Sequence, residues 1–149
     1  MEPIRRHHDA FQVAGLTVRT TNREESDPAT ARIGALWNRF FAEQTYAATP
    51  HRTADARIFS VYSAYESDAD GAFDVTAGVA VTGGEGGIAV EAGDYLVFEG
   101  QGEMPQMVIA TWQRIWQYFE AHPDVARRYR SDFEAYEGPD KVAIHIGVA

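Results

Sequence analysis

Apolar positions recur with two different periods along the chain. From Phe11 to Thr21 they alternate with polar residues, with Val13, Leu16 and Val18 marking a face that shifts at Gly15, which predicts a strand. At Ile33 the period lengthens: Ile33, Leu36, Trp37, Phe40 and Phe41 recur at the spacing of one helical face. Asp27 as N-cap and Pro28 at the first helical position set the predicted start of that helix. After Thr49-Pro50-His51, the β-branched and aromatic run Ile58 to Glu66 predicts a strand, and Asp68-Ala69-Asp70-Gly71 turns the chain into another, Phe73 to Thr82. Gly83, Gly84, Gly86 and Gly87 predict a flexible turn before a short strand, Ile88-Ala89-Val90.

The same order then repeats. Tyr95 to Glu99 reads as a strand. Pro105 opens a helix with Val108, Trp112, Ile115, Trp116 and Phe119 on one face, and Pro123 stops it. Asp132 to Glu137 and Val142 to Val148 form a second hairpin. Ala64-Tyr65-Glu66 followed by Gly78-Val79 returns as Ala135-Tyr136-Glu137 followed by Gly147-Val148. The chain therefore reads as one α+β domain over 1–149, made of two β-α-β-β repeats, about 9–82 and about 88–149. The expected architecture is a pseudo-two-fold antiparallel sheet with two helices on one face.

Alternation also assigns faces. Val142, Ile144, Ile146 and Val148 should lie under the helices, leaving Ala143, His145 and Gly147 on the other side. By the repeat, Val75, Ala77 and Val79 are core, and Asp74, Thr76 and Gly78 open. Phe133 is a better core residue than Glu134, so Glu134 and Tyr136 are expected on the open face, with Ser63 and Tyr65 as their counterparts. A groove floored by Gly78 and Gly147 and walled by tyrosines would hold a flat ligand; the competing reading is that these glycines only relieve strand crowding.

Composition narrows the function. The 149 residues carry 13 Lys+Arg against 22 Asp+Glu, a net charge of −9, and no cysteine. Thiolate catalysis, disulfides and cysteine-ligated metals are excluded, and the composition suits a cytoplasmic protein. The negative charge opposes direct nucleic-acid binding, for which Arg5-Arg6-His7-His8 and Arg127-Arg128-Tyr129-Arg130 are short and read as solvated surface. No stretch approaches the ~20 apolar residues of a membrane span, and Arg5-Arg6-His7-His8-Asp9 is unlike a signal peptide. Glu66-x-Asp68-x-Asp70-Gly71 imitates half a calcium loop, but its twelfth position is Ala77, so it reads as a turn. Gly100-x-Gly102 is followed by Glu103, which opposes phosphate. The histidines at 7, 8, 51, 122 and 145 lack metal spacing, and neither a metal nor another cofactor is expected.

The chain resembles the GyrI-like small-molecule-binding family, the AraC-type effector-binding domain, and in particular its free-standing members. The resemblance rests on Ile33-Gly34-Ala35-Leu36-Trp37-Asn38-Arg39-Phe40, on Val61 to Gly71, on Ala92-Gly93-Asp94-Tyr95, on Trp112 and Ile115, and on Asp132 to Tyr136 with Ile144 to Val148. It implies a ligand groove between the halves that accepts cationic, lipophilic, often aromatic compounds, with a buried glutamate as anionic contact. In the matching Phe-Glu-x-Tyr position that glutamate is Glu134, with Tyr136 beside it and Tyr65 from the other half; Glu99 and Glu137 are weaker candidates. Trp37, Trp112 and Trp116 lie on helical apolar stripes and read as core before cage, with Trp37 and Trp112 kept as candidate ligand contacts. The domain uses the whole chain, so a DNA-binding helix-turn-helix is not expected, and regulation would pass through a homodimer or a regulatory protein partner. The resemblance also leaves open a hydrolase of strained electrophiles, with Glu134 activating water and Tyr136 supporting it, and a protein inhibitor of the gyrase-inhibitor type.

Overall fold

The structure is a computed structural model that describes residues 3–83 and 87–149, so the predicted glycine turn lies partly outside the described residues. Among the described residues the strands are β1 (Ile4–His8), β2 (Phe11–Thr20), β3 (Ile58–Ser63), β4 (Phe73–Val81), β5 (Ile88–Val90), β6 (Gly93–Gln101), β7 (Ser131–Gly138) and β8 (Lys141–Val148). The helices are α1 (Asn22–Glu25), α2 (Ile33–Ala42), α3 (Thr45–Ala48) and α4 (Gln106–Ala121). One antiparallel sheet runs β1-β6-β8-β7-β3-β4-β2-β5. Its order is symmetric about the central β3–β7 pair, as duplicated β-α-β-β units require. The edges are exchanged between the halves: β1, just before the first unit, pairs with β6, and β5, at the start of the second, pairs with β2. No helix is long and apolar enough to cross a membrane among the described residues.

Two local expectations are corrected. Helix α2 starts at Ile33, not after Asp27, because Asp27 caps only a turn, its Oδ1 accepting from the Ala29 N–H. The orphan N–H groups at the helix start are met from a distance by Glu25, whose carboxylate accepts from the Arg32 and Ile33 N–H groups at 2.8 and 3.1 Å. The basic runs are surface as expected at Arg5, Arg6, His7 and Arg130, but His8 and Arg127 are drawn into the fold. Arg5 to His8 belong to β1, where His8 Nε2 meets His145 Nδ1 at 3.1 Å, and Arg127 is buried in a pair with Asp132.

Both faces of the sheet are buried. On the helix side lie Val142, Ile144, Ile146 and Val148 under α4, and Val75 and Ala77 under α2, as alternation predicts. The opposite face is closed by the sheet itself. Phe11 on β2 and Phe133 on β7 are three places apart in strand order, yet their ring centroids are 5.2 Å apart, so the sheet curls into a half-barrel. Phe133 packs inside that curl with Phe59, Tyr95 and His145. The placement of Glu134 and Tyr136 on the face away from the helices is therefore wrong: they oppose Ile144 and Val142 in register and share their helix-side face.

Comparing Phe133 with Glu134 for the core fails because both faces are buried, and the repeated letters add a one-residue slip in the first-half counterparts. Matching Gly78 to Gly147 makes Thr76 equivalent to His145; register then makes Val61 equivalent to Phe133 and Tyr62 to Glu134. Matching the Ala-Tyr-Glu letters shifts this by one, and a shift of one turns every side chain to the other face. The glycines do not floor a groove either. Gly15 and Gly78 are paired in register, and a Cβ on Gly78 would lie 2.2 Å from the Ala14 carbonyl oxygen, so here the two backbones approach too closely for a side chain. At Gly147 a Cβ would meet the Arg128 guanidinium and the Ser131 carbonyl oxygen, both at 3.0 Å.

Candidate functional site

Helices α2 and α4 stand apart over the helix-side face of β3 and β7, and between them lies a cavity of about 1490 Å³. That exceeds the roughly 300–1,000 Å³ of an ordinary ligand pocket and leaves space for several rings. The helices divide their apolar stripes between core and cavity. Leu36 and Phe40 of α2 and Met107, Thr111 and Ile115 of α4 pack on the sheet, whereas Trp37, Val108, Trp112 and Trp116 face the cavity. Phe41, Ile109 and Trp116 at its rim are 63, 55 and 46% exposed, so the mouth is apolar as well.

Of the three carboxylates that line the cavity, Glu25, Glu134 and Glu137, only Glu134 is buried in this apolar wall. Glu134, 2% exposed at the centre of β7, accepts at Oε2 from the Tyr62 hydroxyl (2.8 Å) and the Trp112 indole N–H (2.6 Å), and at Oε1 from the Tyr136 hydroxyl (2.5 Å). The three donors come from β3, α4 and β7, so both halves build the site. Burial raises the carboxyl above its ordinary pKa, and the bonds from Tyr136, Trp112 and Tyr62 pull against that shift. Burial, followed by the neighbouring carboxylate, drives the Tyr62 and Tyr136 phenols well above their usual range, so they remain donors. Among the described residues no Arg, Lys or His pairs with Glu134.

A second polar group lies two residues back on the same strand face. Asp132 Oδ2 accepts from the Tyr65 hydroxyl (2.5 Å) and from Arg127 Nη2 (2.9 Å), and Oδ1 accepts from the Gly147 N–H (2.7 Å). The Arg127 guanidinium lies over the Tyr129 ring at 4.4 Å, and Tyr129 packs edge-on to Tyr65 at 5.7 Å. Ala64, just before Tyr65, and Tyr129 both have left-handed backbone, φ 51° and 53°, a conformation that costs a non-glycine residue roughly 1–3 kcal/mol. The surrounding network holds both against that cost.

Glu134, Tyr136, Tyr65, Trp112 and Trp37 thus meet in one cavity, and Gly78 and Gly147 do not. Trp112 donates its indole N–H to that carboxylate, a contact that its apolar stripe does not imply. Glu137 is exposed at the rim, 3.8 Å from Arg57, and Glu99 is an exposed residue of β6 outside the cavity lining. The sequence pattern gives Tyr62 and Asp132 no site role and reads Arg127 only as surface. Alignment through the strand glycines, which equates Tyr62 with Glu134, is the sequence signal for the first of them.

A half-barrel of duplicated β-α-β-β units with a cavity between its two long helices defines an effector-binding domain of the GyrI-like fold. Residues 6–148 match the family Cass2, integron-associated effector binding protein, and the chain belongs to that family. It is similar to an integron cassette protein of Vibrio cholerae, VCH_CASS2, with 38% identity, a TM-score of 0.85 and coverage of 99% of this chain and 96% of that one. The Bacillus subtilis (strain 168) protein YobU, named as a transcriptional regulator, is 29% identical over 154 residues, covering 96% of this chain and 94% of YobU. The fold is shared with SAV2435, whose structure is bound to tetraphenylphosphonium, at 18% identity and a TM-score of 0.81 over 100% of this chain and 94% of that chain.

Proposed function

We infer that this chain is a receptor for small, lipophilic, aromatic organic cations, with Glu134 as the anionic contact and Trp37, Tyr62, Tyr65, Trp112 and Tyr136 as the walls. The observation that carries this reading is a buried carboxylate, in an apolar cavity, that has no counter-cation among the described residues. The other charged groups of the lining are occupied: Arg57 pairs with Asp55 and Glu137, Arg127 pairs with Asp132, and Glu25 holds the start of α2. An incoming monocation supplies the missing charge while the aromatic faces add about 0.5–2 kcal/mol each. Tetraphenylphosphonium in SAV2435, a protein of the same fold, is a ligand of this class and supports the reading. Three donors already occupy the Glu134 carboxylate, two at Oε2 and one at Oε1, which leaves little of it free to take a proton from an attacking water and favours a receptor over a hydrolase.

Glu134→Gln should keep the fold and weaken tetraphenylphosphonium by about 1.5–3 kcal/mol, roughly ten- to hundredfold, while neutral triphenylphosphine oxide is little affected. Equal loss for both in calorimetry would leave only shape recognition. Ligand recovered after long incubation should be chemically unchanged by mass spectrometry, and a hydrated product that disappears in Glu134→Gln would establish the hydrolase instead.

The cation needs the ionised carboxyl, whose pKa in the free protein is raised by burial. Affinity should therefore rise with pH through that raised value and level off above it, and binding at lower pH should release a proton. Calorimetry in buffers of different ionisation heat reads that proton directly; a flat pH profile in the wild type would contradict ion pairing with Glu134.

A further inference from the structure

The Arg127 guanidinium lines the same cavity with its hydrogen bonding incomplete. Its side chain is 8% exposed, Nη2 donates to Asp132, and Nε is buried with no partner in the described structure. Asp132 already accepts three bonds, from Arg127, the Tyr65 hydroxyl and the Gly147 N–H. A buried guanidinium has five N–H donors, and leaving such donors without acceptors is costly. The rings of Tyr129 and Phe119 lie 4.4 and 5.8 Å from its carbon, and among the described residues no acceptor lies within hydrogen-bonding reach of Nε. Because Asp132 neutralises Arg127, the pair does not repel a cation bound nearby, and it suits an uncharged acceptor better than a second anion.

We propose that Arg127 forms an acceptor subsite, so that the ligands of this cavity carry a carbonyl-type oxygen in addition to their cationic centre. The proposal rests on the cation reading of the cavity given above. Spacing follows from the strand: Asp132 and Glu134 are two residues apart on one face of β7, roughly 7 Å along the chain. The ligand class is therefore a lipophilic monocation with a hydrogen-bond acceptor roughly 7 Å from the charge, one end on Glu134 and the other on the guanidinium.

Two probes of matched size test this, a triphenylphosphonium with an acetylpropyl chain and its pentyl isostere. Wild-type protein should prefer the acetylpropyl compound by about tenfold, as one hydrogen bond to a charged donor implies. In Arg127→Lys, which retains a counter-charge for Asp132 but loses the planar fork, the preference should fall to about one. Moving the carbonyl away from phosphorus, in an acetylhexyl chain, should abolish the advantage over the octyl isostere in the wild type, so the test holds even where Arg127→Lys fails to fold. Equal binding of the first two probes, a preference retained in Arg127→Lys, or one independent of carbonyl position overturns the subsite and leaves the cation reading standing. Failure of both probes to bind wild-type protein overturns the cation reading and the subsite with it.

Discussion

Gly78→Ala is expected to destabilise the protein by about 3–5 kcal/mol, although it adds a single methyl group. The new Cβ would sit 2.2 Å from the Ala14 carbonyl oxygen and 2.7 Å from its carbon, and these are backbone atoms of a paired strand that cannot rotate aside. The β2–β4 crossing would have to open, and with it the curl that brings Phe11 onto Phe133. Gly147→Val should likewise reduce stability, by forcing Arg128 and the Ser131 carbonyl apart, without occupying the cavity. Urea unfolding measures both effects. A Gly78→Ala protein of near wild-type stability that had lost its ligand would restore the glycines to the groove and overturn the face assignment.

Acidification should cost the fold on the order of 4–5 kcal/mol between pH 6.5 and pH 3, most of it through His145. That ring stacks on Phe133 at 4.2 Å, is 5% exposed, and has its pKa lowered from 6.5 to about 3 by burial first and then by His8, Arg57 and Arg6. The sign is that of a base harder to protonate when folded: below pH 6.5 the unfolded chain takes the proton first, and stability falls until the folded pKa is reached. His8, its hydrogen-bonding partner, is lowered as well, by burial, Arg57, Arg6 and His7 against a small opposing effect of Asp9. Glu134 acts oppositely, because a raised carboxyl pKa means stability lost as pH rises from 4.5 through the folded value. Urea midpoints from pH 7 to 4 should therefore be compared in a Glu134→Gln background. His145→Phe, which retains the stack on Phe133, should flatten most of the acid slope there. An unchanged slope would place the titrating group elsewhere.

The contrast between Glu134 and Phe133 separates what was legible in the sequence from what was not. Strand and helix periods, the turn at Asp68 to Gly71 and the repeated element order follow from local alternation and breakers, which act within a few residues. They define the duplicated α+β class, and together with the family resemblance they single out Glu134, Tyr136 and Tyr65. The side of the sheet on which Glu134 lies depends on something local pattern does not carry. A face was assigned by asking which residue of a pair is more apolar, which works when one face meets water. Here the curl buries both faces, so Phe133 is core without facing a helix, and a glutamate lies on the helix side because three donors from β3, β7 and α4 converge on it. The partners of Glu134, the Arg127–Asp132–Tyr65 network and the cap supplied to α2 by Glu25 all join residues distant in sequence. Tertiary structure decided them, because a buried charge is tolerated only where donors from several elements are brought together by the fold.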